Sequence, residues 1–345
     1  MQEIKRETFI KQLESVVSGT VSKELLEQSS CFIFTKGRIV TFNDVITASV
    51  PTELKLKGAV PADALLKLLK KIKDEDIKVS QDGPKIYIKG RLKKKDGDYF
   101  EAEFNTNEEI IIPIDDIGFP EKFTKLPTNF RRLVKLACMT AGTALGEPLL
   151  LCIHICKDKI ESCDNDRITI GTFDKALKMD VLVHAQTIAE VNRQEITAVA
   201  VLDGWLHFKE KSGAVLSCRL VDEKYINLKQ YLPEGKGKKI TFPDEVKHIL
   251  DRADVFCRAE DSLEKRVSLR LSDKGLVLTS QNTSGKYTER KKLKKYNGPK
   301  ISFEDINPDF LKDVLSLSNT VTLVDGSIVF QDKDAIHVVK LDEGD

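Results

Sequence analysis

The feature that most constrains the fold of this chain is a pattern that occurs three times along its length. Two short alternating strands, joined by a turn of Lys, Gly or Asp and ending on a polar residue, recur at CFIFTKGRIVTFND (31–44), LCIHICKDKIESCDND (151–166) and VSLRLSDKGLVLTSQN (267–282). The polar residues at the ends of these hairpins, Asn43, Asp164 and Asn282, lie 121 and 118 residues apart. A repeat of this length predicts a tandem array of three similar units.

Helical segments flank the hairpins in every unit. Apolar residues recur at helical spacing before each hairpin, in ETFIKQLESVV, NFRRLVKLACMTA and DEVKHILDRADVF, and again late in each unit, in PADALLKLLKKI, HAQTIAEVNRQE and NPDFLKDVLSLS. The pattern therefore predicts an α+β fold in which each unit reads helix, strands, helix, strands. Pro, Gly and Lys interrupt the periodicity at 119–127 and 231–239, so we expect domains at 1–121, 122–237 and 238–345.

Composition excludes several classes of protein. A chain of 345 residues is too long for one ordinary core, which agrees with several domains. It has no apolar run near the length of a membrane span, and MQEIKRETFI at its start has no apolar signal core, so we expect a cytoplasmic protein. Seven cysteines without paired spacing suit reduced thiols. The net charge is only +1, from 55 basic and 54 acidic residues, so the chain as a whole has no strong positive potential that would attract nucleic acid.

The end of the second hairpin, ESCDNDRITI, places two carboxylates, an amide and an arginine in four positions. A calcium loop needs oxygen ligands at alternate positions, but the position after Asp166 in that series is Ile168, and Gly171 comes too late. Asp and Asn side chains also satisfy the backbone of a turn, and a polar turn is the favoured interpretation. A metal-dependent phosphoesterase centred on Asp164 and Asp166 stays open as an alternative, although the five histidines are scattered along the chain.

Cys152, His154 and Cys156 fall on one face of a predicted strand and form a second possible metal site. Zinc sites usually have tighter ligand turns and a fourth ligand, so we expect these side chains to fill space and predict neither metal nor cofactor. The single Trp205 and the sparse aromatic residues provide no platform for stacking bases, which disfavours a single-strand binder.

These features resemble the bacterial sliding clamp family, the beta subunit of DNA polymerase III, whose domains each carry the same doubled motif. The family has a Thr-Asp-Gly-His-Arg-Leu turn in its middle domain, where this chain has Cys-Asp-Asn-Asp-Arg-Ile at 163–168. LVDEKYINLKQYLP (220–233) is similar to the family's Leu-Val-Asp and Leu-Pro stretch, and INPDFLKDVLSLS and AIHVVKL are similar to its last domain. The matches lie in order across essentially the whole chain.

The resemblance implies a non-catalytic processivity factor. Three-domain protomers would form a head-to-tail homodimer, a six-domain ring with helices lining the hole and antiparallel sheets outside. The ring would encircle duplex DNA without reading its sequence, and its partners would be the replicative polymerase and the clamp loader. The family often ends in a Met-Pro-Met-Arg-like stretch, whereas this chain has VVKL followed by DEGD, a departure that fits a phage or mobile-element clamp in a host cytoplasm as well as a bacterial one.

The resemblance also implies a groove for short partner peptides at the junction of the second and third domains. Its expected lining residues are Leu149, Cys163, Asn165, Arg167, Ile168, Pro233, Val339 and Leu341.

Basic residues recur on the helical segments of all three units, as phosphate contacts would require. The residues expected to face DNA are Lys5, Arg6, Lys11, Lys23, Lys67, Lys70, Lys71, Arg131, Arg132, Lys135, Arg193, Lys247, Arg252 and Lys312. A purely structural all-beta assembly protein remains a third possibility, but it would explain the repeats and leave the basic helices unexplained.

Overall fold

The structure is a computed structural model that describes residues 1–24, 26–91, 99–114, 117–142, 147–257, 265–293, 296 and 298–341. The chain divides into two compact units, one of residues 1–128 and 177–223 and the other of residues 129–176 and 224–345. None of the helices in the described ranges is long and apolar enough to span a bilayer.

Six α-helices occur at the segments whose apolar spacing predicted them. They are α1 (Arg6–Val16), α2 (Ala62–Lys71), α3 (Phe130–Thr140), α4 (Ala185–Val191), α5 (Val246–Ala253) and α6 (Pro308–Leu317). Each helix buries one apolar face, as α3 does with Phe130, Leu133, Val134 and Ala137. Asn307 caps α6, because its side chain accepts a hydrogen bond from the backbone N–H of Asp309, and Pro308 occupies the first helical position.

The strands are short, and within each unit the pairings between described strands are antiparallel. They are β1 (Gln2–Lys5), β2 (Cys31–Thr35), β3 (Arg38–Phe42), β4 (Ile46–Pro51), β5 (Gly58–Pro61), β6 (Asp76–Asp82), β7 (Lys85–Arg91), β8 (Tyr99–Asn105), β9 (Thr124–Lys125), β10 (Cys152–Cys156), β11 (Lys159–Cys163), β12 (Arg167–Thr172), β13 (Asp180–His184), β14 (Ile196–Leu202), β15 (Trp205–Glu210), β16 (Val215–Val221), β17 (Lys238–Thr241), β18 (Val267–Ser272), β19 (Gly275–Asn282), β20 (Gly285–Lys291), β21 (Ile301–Ile306), β22 (Thr320–Val324), β23 (Ser327–Gln331) and β24 (Ala335–Lys340). The predicted α+β class with antiparallel sheets is confirmed.

The first unit has two sheets. One has the order β1-β6-β7-β8, and the other has the order β9-β14-β15-β16-β4-β3-β2-β5, with β13 also paired to β16. The aromatic side chains of Phe42 and Trp205 contribute to a core cluster beneath the larger sheet, with their ring centroids 6.3 Å apart. Helix α1 packs on β3 and β4 and buries Phe9 and Leu13.

The second unit also has two sheets, with the orders β17-β22-β23-β24-β12-β11-β10 and β20-β19-β18-β21. Helices α5 and α6 pack against each other and cover a core that includes Val246, Leu250, Leu311 and Val339. Helix α3 packs on β11 and β12, where Gly171 leaves room for the side chain of Leu133.

The three hairpin ends share one hydrogen-bonded device. Asn43 Oδ1 accepts hydrogen bonds from the backbone N–H groups two and three residues later, and Asp164 Oδ1 and Asn282 Oδ1 do the same in their own turns. This geometry is the Asx turn that the sequence predicted. The shared turn makes these residues, and those that follow them, equivalent positions in the three repeats.

Two strand pairings join the repeats, and they have the same register. Near Asn43, β4 pairs with β16, with Ile46 opposite Cys218, and the Arg219 N–H donates to the Val45 carbonyl at 2.9 Å. Near Asp164, β12 pairs with β24, with Arg167 opposite Val339, and the Lys340 N–H donates to the Asp166 carbonyl at 2.7 Å. We call these pairings the first and second junctions. In both junctions, the residue three positions after the Asx residue pairs with the residue that precedes the backbone N–H donor.

The domain limits at 121/122 and 237/238 remain a prediction, because each compact unit contains elements from more than one repeat.

The Asx turns generate a stability prediction. Replacing Asn43 with Ala removes the acceptor of two backbone N–H groups, so we expect a loss of about 1 kcal/mol in the free energy of unfolding. Asn43→Asp keeps the acceptor oxygen and should cost less. Denaturant midpoints of both variants measure the difference, and equal midpoints would show that the acceptor contributes nothing.

Candidate partner-binding site

A cavity of about 520 Å³ lies in the second unit, beside the second junction. The Asx turn between β11 and β12, the end of β24 and the segment 226–233 form its walls. Its lining residues are Glu147, Leu150, Cys163, Asp164, Asn165, Asp166, Arg167, Ile168, Ile226, Leu228, Gln230, Tyr231, Leu232, Pro233, Asp325, Ser327, Val338 and Lys340.

Comparison of the two junctions explains why a cavity occurs at the second. At the first junction the Arg219 guanidinium lies 4.9 Å from the centre of the Trp205 ring and binds the Asp44 carboxylate at 2.7 Å. The turn and register equivalence assigns Asn165, Ser327 and Lys340 to the positions of Asp44, Trp205 and Arg219. All three line the cavity. The smaller side chain of Ser327 replaces the indole of Trp205 there.

Apolar side chains supply much of the cavity surface. Val338 and Leu228 are buried beside it, whereas Ile226 and Tyr231 are 38% and 59% exposed. Because these two exposed apolar side chains line a cavity together with buried apolar ones, they are suited to contact a partner.

Arg167 is held within its own unit. Its guanidinium binds Asp164 Oδ2 at 2.8 Å and Asp313 Oδ2 at 3.0 Å, and it lies 3.9 Å from the centre of the Phe310 ring. Burial raises the pKa of the Asp313 carboxyl although Arg167 opposes the shift. Because Arg167 is only 9% exposed and spans the turn and α6, it fixes the shape of the cavity wall.

The structure brings together five of the eight residues predicted for the peptide groove. Cys163, Asn165, Arg167, Ile168 and Pro233 line the cavity.

The other three predicted groove residues, Leu149, Val339 and Leu341, do not line the cavity. Their neighbours Leu150, Val338 and Lys340 do. Val339 instead faces the core that α5 and α6 cover, and Leu341 packs against that core. Successive residues of a strand point to opposite faces, so a shift of one position along β24 exchanges core for cavity. Residues 342–345, where the sequence departs from the family's ending, lie outside the described residues.

Sequence reasoning did not predict Glu147, Asp166, Ile226, Tyr231 or Asp325 as lining residues. Ile226 and Tyr231 could have been suspected, because KYINLKQYLP places apolar residues in a segment without regular periodicity. Asp325 comes from a hairpin turn far along the chain, and only the pairing of β23 with β24 brings it to the site.

The second predicted cluster lies on β10 and β11. His154 Nδ1 is 3.1 Å from Glu161 Oε2, and a ligand atom from each of His154, Cys156 and Glu161 lies within 4.8 Å of the others. The Lys159 ammonium already binds Glu161 Oε1 at 2.5 Å. Burial opposes ionisation of Glu161, but hydrogen bonds from His154 and Lys159 lower its pKa overall. The carboxylate is therefore charge-compensated by a lysine, which agrees with a packing role for this cluster.

Many of the fourteen residues expected to face DNA are bound to carboxylates. At least eight have one within 4 Å, namely Lys5, Arg6, Lys67, Lys70, Arg132, Arg193, Arg252 and Lys312. Arg6 also donates to the carbonyls of Asp74 and Leu69, so it ties α1 to the rest of its unit.

The other six predicted residues are Lys11, Lys23, Lys71, Arg131, Lys135 and Lys247. Lys11, Lys71 and Lys135 are exposed on α1, α2 and α3, and Arg131 is exposed on α3. Lys23 is exposed in a loop, and Lys247 is half-buried on α5. Exposed lysines on helices can reach phosphates without disturbing the fold.

Comparison with known proteins identifies the fold. No protein-family model matches the sequence, and a search of curated proteins finds no match. The DNA polymerase III beta chain of Streptococcus pneumoniae is 15% identical and covers 99% of both chains at a TM-score of 0.79. The DNA polymerase sliding clamp of Bacillus subtilis is 13% identical, covering 99% of this chain and 98% of its own at a TM-score of 0.75. The chain has the sliding-clamp fold.

A third similar structure agrees. The DNA polymerase III beta subunit of Pseudomonas aeruginosa, a sliding clamp solved with griselimycin bound, is 17% identical and covers 99% of both chains at a TM-score of 0.76. The likeness extends over almost the entire length of each protein, so the fold expected from the resemblance is confirmed. Identities of 13–17% establish a shared fold, and function requires separate argument.

His337 lies behind the cavity, on β24 opposite Thr169, and is fully buried. Its Nδ1 is 2.8 Å from Thr169 Oγ1 and 3.3 Å from Thr140 Oγ1. Burial, together with the nearby charge of Arg167, lowers the pKa of His337 from 6.5 to about 4.

A pH dependence of stability follows. The pKa of His337 is lower in the folded state than in the unfolded state. Its contribution to the free energy of unfolding is therefore fully present above about pH 6.5 and is lost as pH falls towards about 4. The loss amounts to roughly 3 kcal/mol in the free energy of unfolding. His337→Gln should flatten this part of the profile, whereas His248→Gln, at an exposed position, should leave it unchanged. Parallel profiles for wild type and His337→Gln would contradict the assignment.

Proposed function

We propose that this protein is a DNA sliding clamp, a processivity factor that encircles duplex DNA and tethers the replicative polymerase. One observation carries the proposal: three repeats are joined through two strand junctions of the same register, in a chain whose fold matches sliding clamps over 99% of its length. Such a protein works by topology and requires no catalytic group. The proposal places it in the cytoplasm, of a bacterium or of a host if phage-encoded.

The proposed ring consists of two copies joined head to tail, with three domains in each at 1–121, 122–237 and 238–345. In the described part of the chain, β8 ends one sheet of the first unit and β20 ends one sheet of the second. Unpaired strand edges favour association with another chain, so their presence supports assembly.

The cavity beside the second junction is the proposed docking site for short segments of the polymerase and the clamp loader. Its buried Val338 and Leu228, with the exposed Ile226 and Tyr231, provide apolar contacts for a few anchor side chains. Its position beside the turn at 163–168 agrees with the resemblance.

A phosphoesterase at Asp164 and Asp166 is less well supported. Asp164 Oδ1 accepts two backbone N–H groups, and Oδ2 binds Arg167, so this carboxylate is occupied by its own turn. A structural all-beta assembly protein would not explain the exposed lysines on α1, α2 and α3.

Retention on circular DNA tests the ring. After loading onto a nicked plasmid, the wild-type protein should remain through gel filtration and leave when the plasmid is linearised. A Lys11→Glu, Lys71→Glu, Lys135→Glu variant should show reduced loading and a weaker dependence on salt, because phosphate contacts are lost. The matched control is a Lys36→Glu, Lys157→Glu, Lys274→Glu variant, which changes exposed residues of the three hairpin turns. Equal retention of the wild type on linear and circular DNA would contradict the proposal.

Peptide binding tests the docking site. The probe is a labelled peptide from the C-terminal tail of the replicative polymerase encoded in the same genome. Ile226→Asp with Tyr231→Ala should weaken its binding at least tenfold, because an introduced charge would be desolvated beside the anchor. Both side chains are exposed, so the melting temperature should not change. Deleting residues 338–345 is a poor test, because it would remove half of β24.

The control for the peptide experiment is Val255→Asp, which alters another exposed apolar residue of the second unit. Ile168→Asp provides a second variant on the cavity wall. Unchanged affinity in a folded Ile226→Asp, Tyr231→Ala protein would place the docking site elsewhere.

A further inference from the structure

One face of the β10–β11 hairpin carries three side chains that can bind a metal and that converge on one another. Glu161 lies directly opposite His154 in the strand pairing, and Cys156 follows two residues later on β10. His154 Nδ1 is 3.1 Å from Glu161 Oε2, and the Cys156 sulfur is 4.0 Å from the same oxygen. Cys156 and Glu161 are buried, so this cluster is held by the core of the second unit.

The first repeat shows that packing alone does not require polar side chains at these positions. Its hairpin β2–β3 has a two-residue turn like that of β10–β11, and Ile33 pairs with Val40 there as His154 pairs with Glu161. Ile33 and Val40 are buried in the core of the first unit. An imidazole and a carboxylate in place of such an apolar pair cost free energy unless their polar atoms are compensated.

The third repeat also lacks this set of side chains. Arg270 pairs with Val277 at the equivalent register of β18 and β19. Thr35 in the first repeat and Ser272 in the third hold the position of Cys156, next to the turn. The combination of imidazole, thiol and carboxylate is therefore particular to the second repeat.

We infer that His154, Cys156 and Glu161 form a binding site for a thiophilic divalent cation, with Zn²⁺ as the best match. Zinc binds nitrogen, sulfur and oxygen ligands at about 2.0–2.3 Å, so the ligand atoms of a tetrahedral site are about 3.3–3.8 Å apart. The separations of 3.1 and 4.0 Å lie on either side of this range. This site goes beyond the proposed clamp function and does not depend on it.

The chemistry of the three ligands selects the metal. Mg²⁺ and Ca²⁺ prefer oxygen ligands, whereas a thiolate together with an imidazole favours zinc. Three protein ligands leave one coordination position for water. The His154 side chain is 15% exposed, so water can reach the site from its side.

Lys159 is compatible with a bound metal. Its ammonium binds Glu161 Oε1 at 2.5 Å, whereas His154 and Cys156 approach Oε2. A metal on Oε2 can therefore leave the lysine contact in place, where it would orient the carboxylate. Burial opposes ionisation of Glu161, but hydrogen bonds from His154 and Lys159 lower its pKa overall, so the carboxylate is in the ionised form that a metal requires.

Metal binding at this site releases a proton. Cys156 binds zinc as the thiolate, so its S–H proton passes to solvent as the sulfur–metal bond forms. His154 binds as the neutral imidazole. We therefore expect the dissociation constant for Zn²⁺ to rise at least about tenfold when the pH is lowered by about one unit from neutrality.

The sequence pointed to a different set of three residues. Cys152, His154 and Cys156 share a face of β10, but the Cys152 thiol donates to the Pro148 carbonyl at 3.5 Å. The pairing of β10 with β11 instead brings Glu161 beside His154. The third ligand comes from the neighbouring strand, which spacing along β10 alone does not predict.

Metal titration of the full chain tests the site. The protein is stripped with a chelator, kept in a non-thiol reductant and titrated with Zn²⁺ or Co²⁺ alone. We expect one equivalent of Zn²⁺ to bind with a micromolar or lower dissociation constant, and Co²⁺ to produce the charge-transfer absorption of a thiolate ligand. Zn²⁺ at a hundredfold excess over its dissociation constant should raise the melting temperature by about 5 °C. Mg²⁺ should not displace the cobalt.

The other two repeats supply the variants. His154→Ile with Glu161→Val introduces the apolar pair of the first repeat, and Cys156→Ser introduces the residue of the third. Each should abolish the cobalt–thiolate absorption and the zinc-dependent rise in melting temperature. The loss of zinc affinity should exceed the roughly 10–100-fold that removal of an outer-shell partner causes.

The matched control is Cys31→Ser with His248→Gln, which removes a half-buried thiol and an exposed imidazole elsewhere in the chain and should leave zinc binding unchanged. If the double variant fails to fold, Cys156→Ser decides, because it keeps the His154–Glu161 pair. Cobalt–thiolate absorption that persists in Cys156→Ser, or that disappears in the control, would place the metal elsewhere and overturn the inference. Absence of Zn²⁺ binding by the wild type in the high-micromolar range would overturn it as well.

Discussion

The backbone ladder between β24 and β12 is the interaction on which the candidate site depends. It joins residues more than 160 positions apart, from Arg167 opposite Val339 to Gly171 opposite Ala335. The same ladder sets Val338 beside the cavity, Val339 in the core and His337 behind Thr169. Because successive residues alternate between faces, one choice of register determines all three environments.

The ion pairs of Arg167, at one end of this ladder, hold the cavity wall in place. Arg167 is bound by Asp164 in its own turn and by Asp313 on α6, and the Phe310 ring covers it. A buried guanidinium with two carboxylate partners is costly to disrupt, because removing one group leaves another without compensation. The turn that carries two aspartates and an arginine, which the sequence favoured as a polar turn over a catalytic site, therefore forms a wall of the cavity in the structure.

The sequence alone predicted the repeating elements and little of what joins them. The helices and hairpins follow from local periodicity, and the Asx turns at Asn43, Asp164 and Asn282 follow from side chains that satisfy their neighbours' backbone. The strand pairings between repeats connect residues that no local pattern relates.

The lack of information on long-range strand pairing also determines which groove residues could be predicted from the sequence. The five predicted residues that line the cavity lie in the turn and at Pro233, where the sequence could be aligned with the family's turn and its Leu-Pro pair. The other three predicted residues lie beside residues that line the cavity, because the face on which a strand residue lies is known only once the register is known. The partner of Arg167 on α6 stands 146 residues away, beyond any spacing rule.

The contrast between the two junctions has a wider consequence. At the first, an indole and a bound arginine fill the space beside the ladder; at the second, a serine and a lysine occupy the equivalent positions and leave a hollow. Both ladders keep the same backbone hydrogen bond, so the side chains beside a junction can differ while its strand register is retained. A partner bound in the proposed docking site would therefore contact side chains only, and the backbone pairing that joins the second and third repeats would stay intact.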